Sequence, residues 1–308
     1  MTNLKTPLRY PGGKSRAVGK IKNFFPNLSN CKEYREPFLG GGSVALHISI
    51  AFPHLNIWVN DLYEPLTNFW QILQKQGDEI ASKLKDIKGN TTDCRVLFED
   101  SKSILHDRGL TDLERAVAFY IVNKCSFSGL TESSSFSEQA SRQNFTVRGI
   151  TKLPQYSRII QRWTITNDSY EILLTDLVNA FLYLDPPYEI DSNLYGKKGD
   201  MHEGFDHDKF AEKCDNRVAK MLISYNSSQL IKDRFNSWSA SEYSHTYTMR
   251  SVGDYMSKQK QRKELLLFNY NKEPKIQFSF GGCYNYDKLN SSGLTLSLIH
   301  ISEPTRLS

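Results

Sequence analysis

Apolar residues recur at two spacings along this chain, and the spacing predicts where helices and strands lie. Over residues 15–25 and 43–52 the spacing is helical. Shorter, largely apolar runs are typical of buried strands. Such runs occupy residues 56–59, 180–184, 221–224 and 264–270. The two ends of the chain therefore alternate between helix and strand, which indicates an α/β domain.

The middle of the chain follows a different pattern. From about residue 74 to residue 164 the apolar positions predict amphipathic helices, including one over 113–123, and residues 126–148 are polar and rich in serine. A helical stretch between two α/β stretches indicates an insertion. We therefore predict a discontinuous catalytic domain formed by residues 1–74 and 165–270, and an inserted target-recognition domain at 75–164.

The last segment differs from both. Residues 271–308 are rich in Ser, Asn and Gly, and their end, LSLIHISEPTRLS, has no amphipathic pattern. This end resembles translated adaptor or vector sequence as much as evolved protein. We assign no function to residues 296–308.

Composition narrows the class of protein. With 308 residues, 39% of them hydrophobic, the chain can bury a full core, and its net charge of +5 permits nucleic-acid binding without demonstrating it. The five cysteines are scattered without CxxC spacing, and the histidines match no ligand set, so we expect neither disulfides nor a metal. No apolar run reaches the ~18 residues that cross a bilayer, and no signal segment opens the chain. We predict a cytoplasmic protein with no membrane contact.

Three consecutive glycines, from Gly40 to Gly42, precede the helix predicted from Ser43. Glycines let a ligand approach the backbone closely, and a helix N-terminus offers free N–H groups. Asp61 follows the next strand at about the ~20-residue interval at which an acidic side chain binds ribose hydroxyls. Together these features indicate a nucleoside cofactor. Taken separately, the glycines are also compatible with a flexible turn, and Asp61 with a helix cap.

A hydrophobic strand ends at Asp185, Pro186, Pro187 and Tyr188. The exocyclic amine of adenine is a poor nucleophile because its lone pair is delocalised into the ring. The Asp185 carboxylate and the Pro186 carbonyl can accept hydrogen bonds from the N–H groups of this amine. They can thereby stabilise the positive charge that develops on nitrogen. The prolines fix the backbone, and Tyr188 can stack on a base rotated out of a duplex. A simple turn is the alternative, which the buried strand before the acid disfavours.

Several separated blocks are similar to those of the Dam-type N6-adenine-specific DNA methyltransferases, in that family's order. They are PLRYPGGKSR at 7–16, EPFLGGGSV at 36–44, WVNDLYEPL at 58–66, NKCSFSGL at 123–130, LDPPY at 184–188 and RKELLLFNY at 262–270. The resemblance implies a Rossmann-like S-adenosylmethionine-dependent methyltransferase sheet interrupted by a mainly helical DNA-recognition domain. It further implies S-adenosylmethionine as cofactor and double-stranded DNA as the partner, bound by a monomer.

The resemblance also implies roles for individual residues. The implied cofactor-binding residues are Tyr10, Lys14, Pro37, Phe38, Gly40, Gly42, Asp61 and Asp168. Among them, Asp61 would bind the ribose hydroxyls and Asp168 would lie near the adenine of the cofactor. The catalytic group would be Asp185, Pro186, Pro187 and Tyr188. A solvated charge is the alternative for Lys14, and a helix cap is the alternative for Asp168.

Basic and aromatic side chains near the expected DNA face are the predicted contacts with DNA. They are Asn123, Lys124, Phe127, Arg142, Arg148, Lys197 and Lys198. Cations there can neutralise phosphates, although charge runs are often only solvated surface. Residues 132–149 keep only Asn144 and Phe145 of the family's Gly, Phe and Asn pattern, so the DNA target sequence is not predicted.

Other functions fit parts of this pattern. An enzyme of the same fold could methylate RNA adenine, cytosine N4 or protein glutamine, but Asp185 favours adenine because those families more often carry Ser or Asn there. An inactive DNA-binding relative would not need an intact Asp185, Pro186 and Tyr188. A dinucleotide-dependent oxidoreductase is disfavoured because EPFLGGGS lacks a GxGxxG pattern.

Overall fold

A seven-stranded sheet forms the centre of the protein. The structure is a computed structural model, and it describes residues 4–189, 205–215, 217–245 and 262–271. The strands are β1 Glu33–Glu36, β2 Asn56–Asn60, β3 Trp163–Thr166, β4 Ala180–Leu184, β5 Lys220–Asn226, β6 Ser239–His245 and β7 Arg262–Phe268. Their order across the sheet is β3-β2-β1-β4-β5-β7-β6.

The strand order reverses direction between β1 and β4. Strands β1 to β5 pair in parallel, and β7 pairs antiparallel with β5 and β6. The chain runs outwards from β1 through β2 to β3, and then continues on the other side of β1 through β4 to β5. Ligands of open α/β sheets bind at the carboxyl ends of the strands at such a switch point. The fold therefore brings the residues after Glu36 and after Leu184 together, and it confirms the predicted Rossmann-like α/β class.

Strand β4 shows why the prediction of Ala180–Leu184 succeeded. All five of its residues are buried. Phe181 and Tyr183 pack in one hydrophobic cluster, whereas Leu182 and Leu184 pack in a second cluster on the other face. Because both faces of a parallel strand are covered, its sequence is continuously apolar rather than alternating.

Helices cover the sheet and fill the segment between β2 and β3. They are α1 Val18–Ile21, α2 Ser43–Ala51, α3 Glu64–Lys75, α4 Gly77–Asn90, α5 Cys94–Ser103, α6 Asp112–Cys125, α7 Glu138–Asn144, α8 Val147–Ile150, α9 Leu153–Ile160, α10 His207–Cys214 and α11 Gln229–Arg234. None of the helices in the described ranges is long and apolar enough to span a membrane. The predicted continuous helix over 15–25 is wrong, because two 3₁₀ turns flank the short α1. Gly19 within this stretch and Pro26 after it both disfavour a regular helix.

Helix α6 is the core of the inserted helices. Thr111 and Glu114 form a capping box at its start, and nearly all of its later residues are buried. After α9 the chain returns to the sheet, where β3 pairs with β2. The predicted boundary between residues 164 and 165 thus falls within β3, and the division into two domains stays a prediction.

Candidate active site

A cavity of about 320 Å³ lies at the carboxyl ends of β1 and β4. Its lining includes all the residues predicted for cofactor binding, namely Tyr10, Lys14, Pro37, Phe38, Gly40, Gly42, Asp61 and Asp168. It also includes the predicted catalytic block, Asp185, Pro186, Pro187 and Tyr188. Two groups of residues far apart in the sequence therefore meet in one cavity, while their individual roles stay predictions.

The glycine loop after β1 has a backbone that only glycine adopts without strain. Gly40 and Gly42 have φ angles of +48° and +66°. A Cβ atom added at Gly40 would lie 2.9 Å from the ring of Tyr10, and one added at Gly42 would lie 2.9 Å from the ring of Trp70. Trp70 also donates a hydrogen bond of 3.2 Å to the Gly40 carbonyl. The conformation of the loop is therefore fixed by aromatic rings that pack directly against its backbone.

Asp61 joins this loop to the end of β2. Its carboxylate accepts hydrogen bonds from the backbone N–H of Gly40 at 2.8 Å and from that of Tyr63 at 3.1 Å. Burial raises the pKa of Asp61 to about 6, against the effect of these hydrogen bonds. Each carboxylate oxygen can accept more than one hydrogen bond, so Asp61 can still bind hydroxyl groups in the cavity.

Asn60 is a supporting residue that the sequence reasoning missed. It is fully buried, and its side chain donates to the carbonyls of Asp168 at 2.8 Å and Pro37 at 3.2 Å. Its side-chain oxygen accepts from the Asp168 backbone N–H at 3.1 Å. The exposed Asp168 is thereby held at the cavity edge beside the end of β2. A buried Asn at the end of an apolar strand, directly before Asp61, was the available signal.

Lys14 lies at the predicted catalytic group. Its ammonium nitrogen is 2.7 Å from Asp185 Oδ1, and it donates to the Tyr188 hydroxyl at 2.9 Å and to the Gly12 carbonyl at 3.0 Å. Only 6% of its side chain is exposed. The alternative of a solvated surface charge at Lys14 is therefore wrong.

The environment of Asp185 changes its acidity. Burial raises the pKa of Asp185 to about 6, the negative charge of Glu264 raises it as well, and the cation of Lys14 opposes both. The carboxylate therefore loses its charge as the pH falls through about 6. At neutral pH it is an ionised hydrogen-bond acceptor inside the cavity.

Two further carboxyl groups surround the catalytic block. Tyr188 donates a hydrogen bond of 2.6 Å to Glu264 Oε2, and Tyr34 donates one of the same length to Glu36. Both glutamates are only 2% exposed. Burial raises the pKa of Glu36 well above its usual range. Glu264 directly precedes the apolar run LLLF, which was the available signal for it, whereas β1 reads EYRE and no apolar run marks Glu36.

Asn123 and Lys124 do not lie where a DNA contact requires them. The Asn123 side chain exchanges hydrogen bonds with the backbone of Arg9, and the Lys124 ammonium donates to the Pro7 carbonyl. Both are buried, and burial lowers the pKa of Lys124 to about 8. Because their polar groups hold the segment that carries Tyr10, the predicted direct contact with DNA does not fit their placement.

The other predicted DNA contacts are at the surface or outside the described residues. The Phe127 ring and the Arg142 and Arg148 side chains are exposed. Phe127 begins a turn in which Ser128 and Thr131 have φ angles of 55° and 52°, an uncommon conformation that is often found at functional sites. Lys197 and Lys198 lie outside the described residues. Within the part of the chain that the structure describes, no group of three His, Cys, Asp or Glu side chains could hold a metal ion.

Comparisons with known proteins agree with this geometry. A family model described as D12 class N6 adenine-specific DNA methyltransferase matches residues 10–249. The type II methyltransferase M.MjaIII of Methanocaldococcus jannaschii is 23% identical over 246 residues, which cover 72% of this chain and 84% of that protein. The type II methyltransferase M1.LlaDCHI of Lactococcus lactis subsp. cremoris is 22% identical over 87% of this chain and 96% of that protein. The type II methyltransferase M.CviBI of Paramecium bursaria Chlorella virus NC1A is 19% identical over 87% of this chain and 100% of that protein.

Proposed function

Since the chain belongs to the D12 class N6 adenine-specific DNA methyltransferase family, we propose that it transfers the methyl group of S-adenosylmethionine to the N6 amine of adenine in double-stranded DNA. The observation that carries this proposal is the Asp185 carboxylate. It follows β4 directly, is paired with Lys14 at 2.7 Å, and shares one cavity with the glycine loop after β1.

The glycine loop and two acids fit S-adenosylmethionine. A Cβ atom at Gly40 or Gly42 would collide with an aromatic ring, so the loop presents bare backbone to the cavity. We assign the methionine portion of the cofactor to this loop, the ribose hydroxyls to Asp61 and the adenine end to Asp168. The cofactor, when bound, supplies a methyl group on a positively charged sulfur.

The catalytic block would hold and orient the adenine. Asp185 and the Pro186 carbonyl would accept hydrogen bonds from the two N–H groups of the amine. These hydrogen bonds would direct the nitrogen lone pair towards the methyl group. Tyr188 stacks on the base after it has left the duplex. The methylated amine must lose one proton, and Asp185, ionised above a pH of about 6, can accept it. Pro187 keeps the backbone between these groups fixed.

The DNA would lie against the inserted segment. Phe127, Arg142 and Arg148 are exposed there and can contact the duplex, and Lys197 and Lys198 remain candidates. We further propose that the chain acts on DNA as a monomer. We propose residues 75–164 as the target-recognition domain.

A labelling experiment tests the proposal. The full chain is incubated with duplex DNA and methyl-labelled S-adenosylmethionine, and the DNA is digested to nucleosides. We expect the label in N6-methyldeoxyadenosine. Label in cytosine, in an RNA added in parallel, or only in protein would contradict the adenine assignment and favour the corresponding alternative.

A further inference from the structure

Glu264 contacts the catalytic block from a strand that the proposed reaction does not use. It lies on β7, which pairs antiparallel with β5, and it is 2% exposed. Its Oε2 atom accepts the hydrogen bond of the Tyr188 hydroxyl at 2.6 Å. The same hydroxyl accepts a hydrogen bond from the Lys14 ammonium at 2.9 Å, and Lys14 pairs with Asp185. A continuous chain of polar contacts thus joins Glu264 to Asp185.

We propose that Glu264 is a positioning residue, which holds the Tyr188 ring against the target base and keeps Lys14 beside Asp185. This inference rests on the proposed function. A phenol ring attached to the chain at one end can tilt, and a second anchor at its hydroxyl fixes its plane. The anchor lies on a sheet strand, which holds a side chain in place more rigidly than a loop does.

The charges around the group formed by Asp185, Lys14 and Tyr188 are consistent with such a role for Glu264. The titratable groups that face it are Lys14 from the N-terminal segment, Tyr34 and Glu36 from β1, Tyr183 from β4, Tyr243 from β6 and Glu264 from β7. Burial favours the protonated form of Glu36. The negative charge of Glu264 raises the pKa of Asp185, so a change at Glu264 must reach Asp185 through charge as well as through position.

Two substitutions at Glu264 separate position from charge. Glu264→Ala removes the acceptor, and we expect kcat to fall at least about 10-fold, because misplacement by about 1 Å can cost about 10²-fold. Glu264→Gln keeps an acceptor for the Tyr188 hydroxyl, so it should recover much of this loss. Removing the charge lowers the pKa of Asp185, so the acidic limb of the Glu264→Gln pH–rate profile should move to lower pH.

The matched control is Glu242→Gln in the neighbouring strand β6. Glu242 forms ion pairs with Lys232 and Lys263, lies outside the cavity lining, and should leave both kcat and the pH profile unchanged. The Tyr188→Phe variant tests the route of the effect. If Glu264 acts through the Tyr188 hydroxyl, Glu264→Ala should lower kcat little further in the Tyr188→Phe background.

Three outcomes would overturn the inference: unchanged kcat in a folded Glu264→Ala variant, equal losses in the Ala and Gln variants with no pH shift, or fully additive losses with Tyr188→Phe. Folding is checked by thermal melting in each case. If the wild-type chain methylates another base, the proposed function fails, but the same ratios measured on that base still decide the role of Glu264.

Discussion

Asp61 and Asp185 are alike in acidity and unlike in how they are held. Burial raises the pKa of each to about 6. Asp61 is held by backbone N–H groups, those of Gly40 and Tyr63. Asp185 is held by a side chain, through the ammonium of Lys14 at 2.7 Å. The first arrangement depends on the loop backbone, and the second depends on a contact between side chains that are far apart in the sequence.

This difference indicates that the two acids have separate functions within one cavity. Backbone donors cannot leave Asp61 without unfolding the loop, so this acid is suited to bind a ligand in one fixed geometry. Lys14 occupies only part of the hydrogen-bonding capacity of Asp185, so this acid can also accept hydrogen bonds from an incoming amine. We therefore expect substitutions at Asp61 to change cofactor affinity and substitutions at Asp185 to change turnover.

Asp185→Ala should give the largest effect. We expect kcat to fall by about 10²–10³-fold or more, because the variant lacks the acceptor that stabilises the developing charge. The dissociation constant for S-adenosylmethionine, measured by calorimetry, should change little. Asp176→Ala, at an exposed acid before β4 that pairs with Arg217, is the control. Near-normal turnover of the Asp185 variant would show that another group is the catalytic acceptor.

Asp61→Ala should weaken cofactor binding more than it lowers kcat. Loss of its charged hydrogen bonds, each about 1.5–3 kcal/mol, should weaken cofactor binding by about 10–100-fold. At saturating cofactor, kcat should fall much less than it does in Asp185→Ala. Asp78→Ala, an exposed acid in the first turn of α4, controls for charge. The comparison fails if cofactor affinity is kept and only kcat declines.

The pH dependence should give the smallest but most specific effect. With cofactor saturating, kcat/KM for DNA should rise with pH through about 6 as Asp185 ionises. Lys14→Met removes a cation that lowers the pKa of Asp185, so the rise should move to higher pH. Lys22→Met, at an exposed position, should leave it in place. Equal midpoints in wild type and Lys14→Met would mean that Lys14 does not control Asp185.

The accuracy of the sequence predictions varied with the distance over which each contact forms. Strand β4 was predicted at its observed bounds because a continuous apolar run ends at Asp185 and two prolines. Glu264 was missed because its partner, Tyr188, is 76 residues away and reaches it across the sheet. Asn123 and Lys124 were assigned to DNA because their block resembles a DNA-recognition motif. In the structure the same polar groups hold the N-terminal segment.

The sequence by itself determined the α/β class, the glycine loop, the Asp61 position and the block from Asp185 to Tyr188. Each of these depends on local chemistry, such as hydrophobic runs, glycine backbone freedom and proline rigidity. Only the tertiary structure decided that Lys14 pairs with Asp185 and contacts Tyr188, which is 174 residues further along the chain. The segment before β1 creates that contact by lining the same cavity as the carboxyl ends of β1 and β4, and a one-dimensional pattern does not encode which distant segments meet.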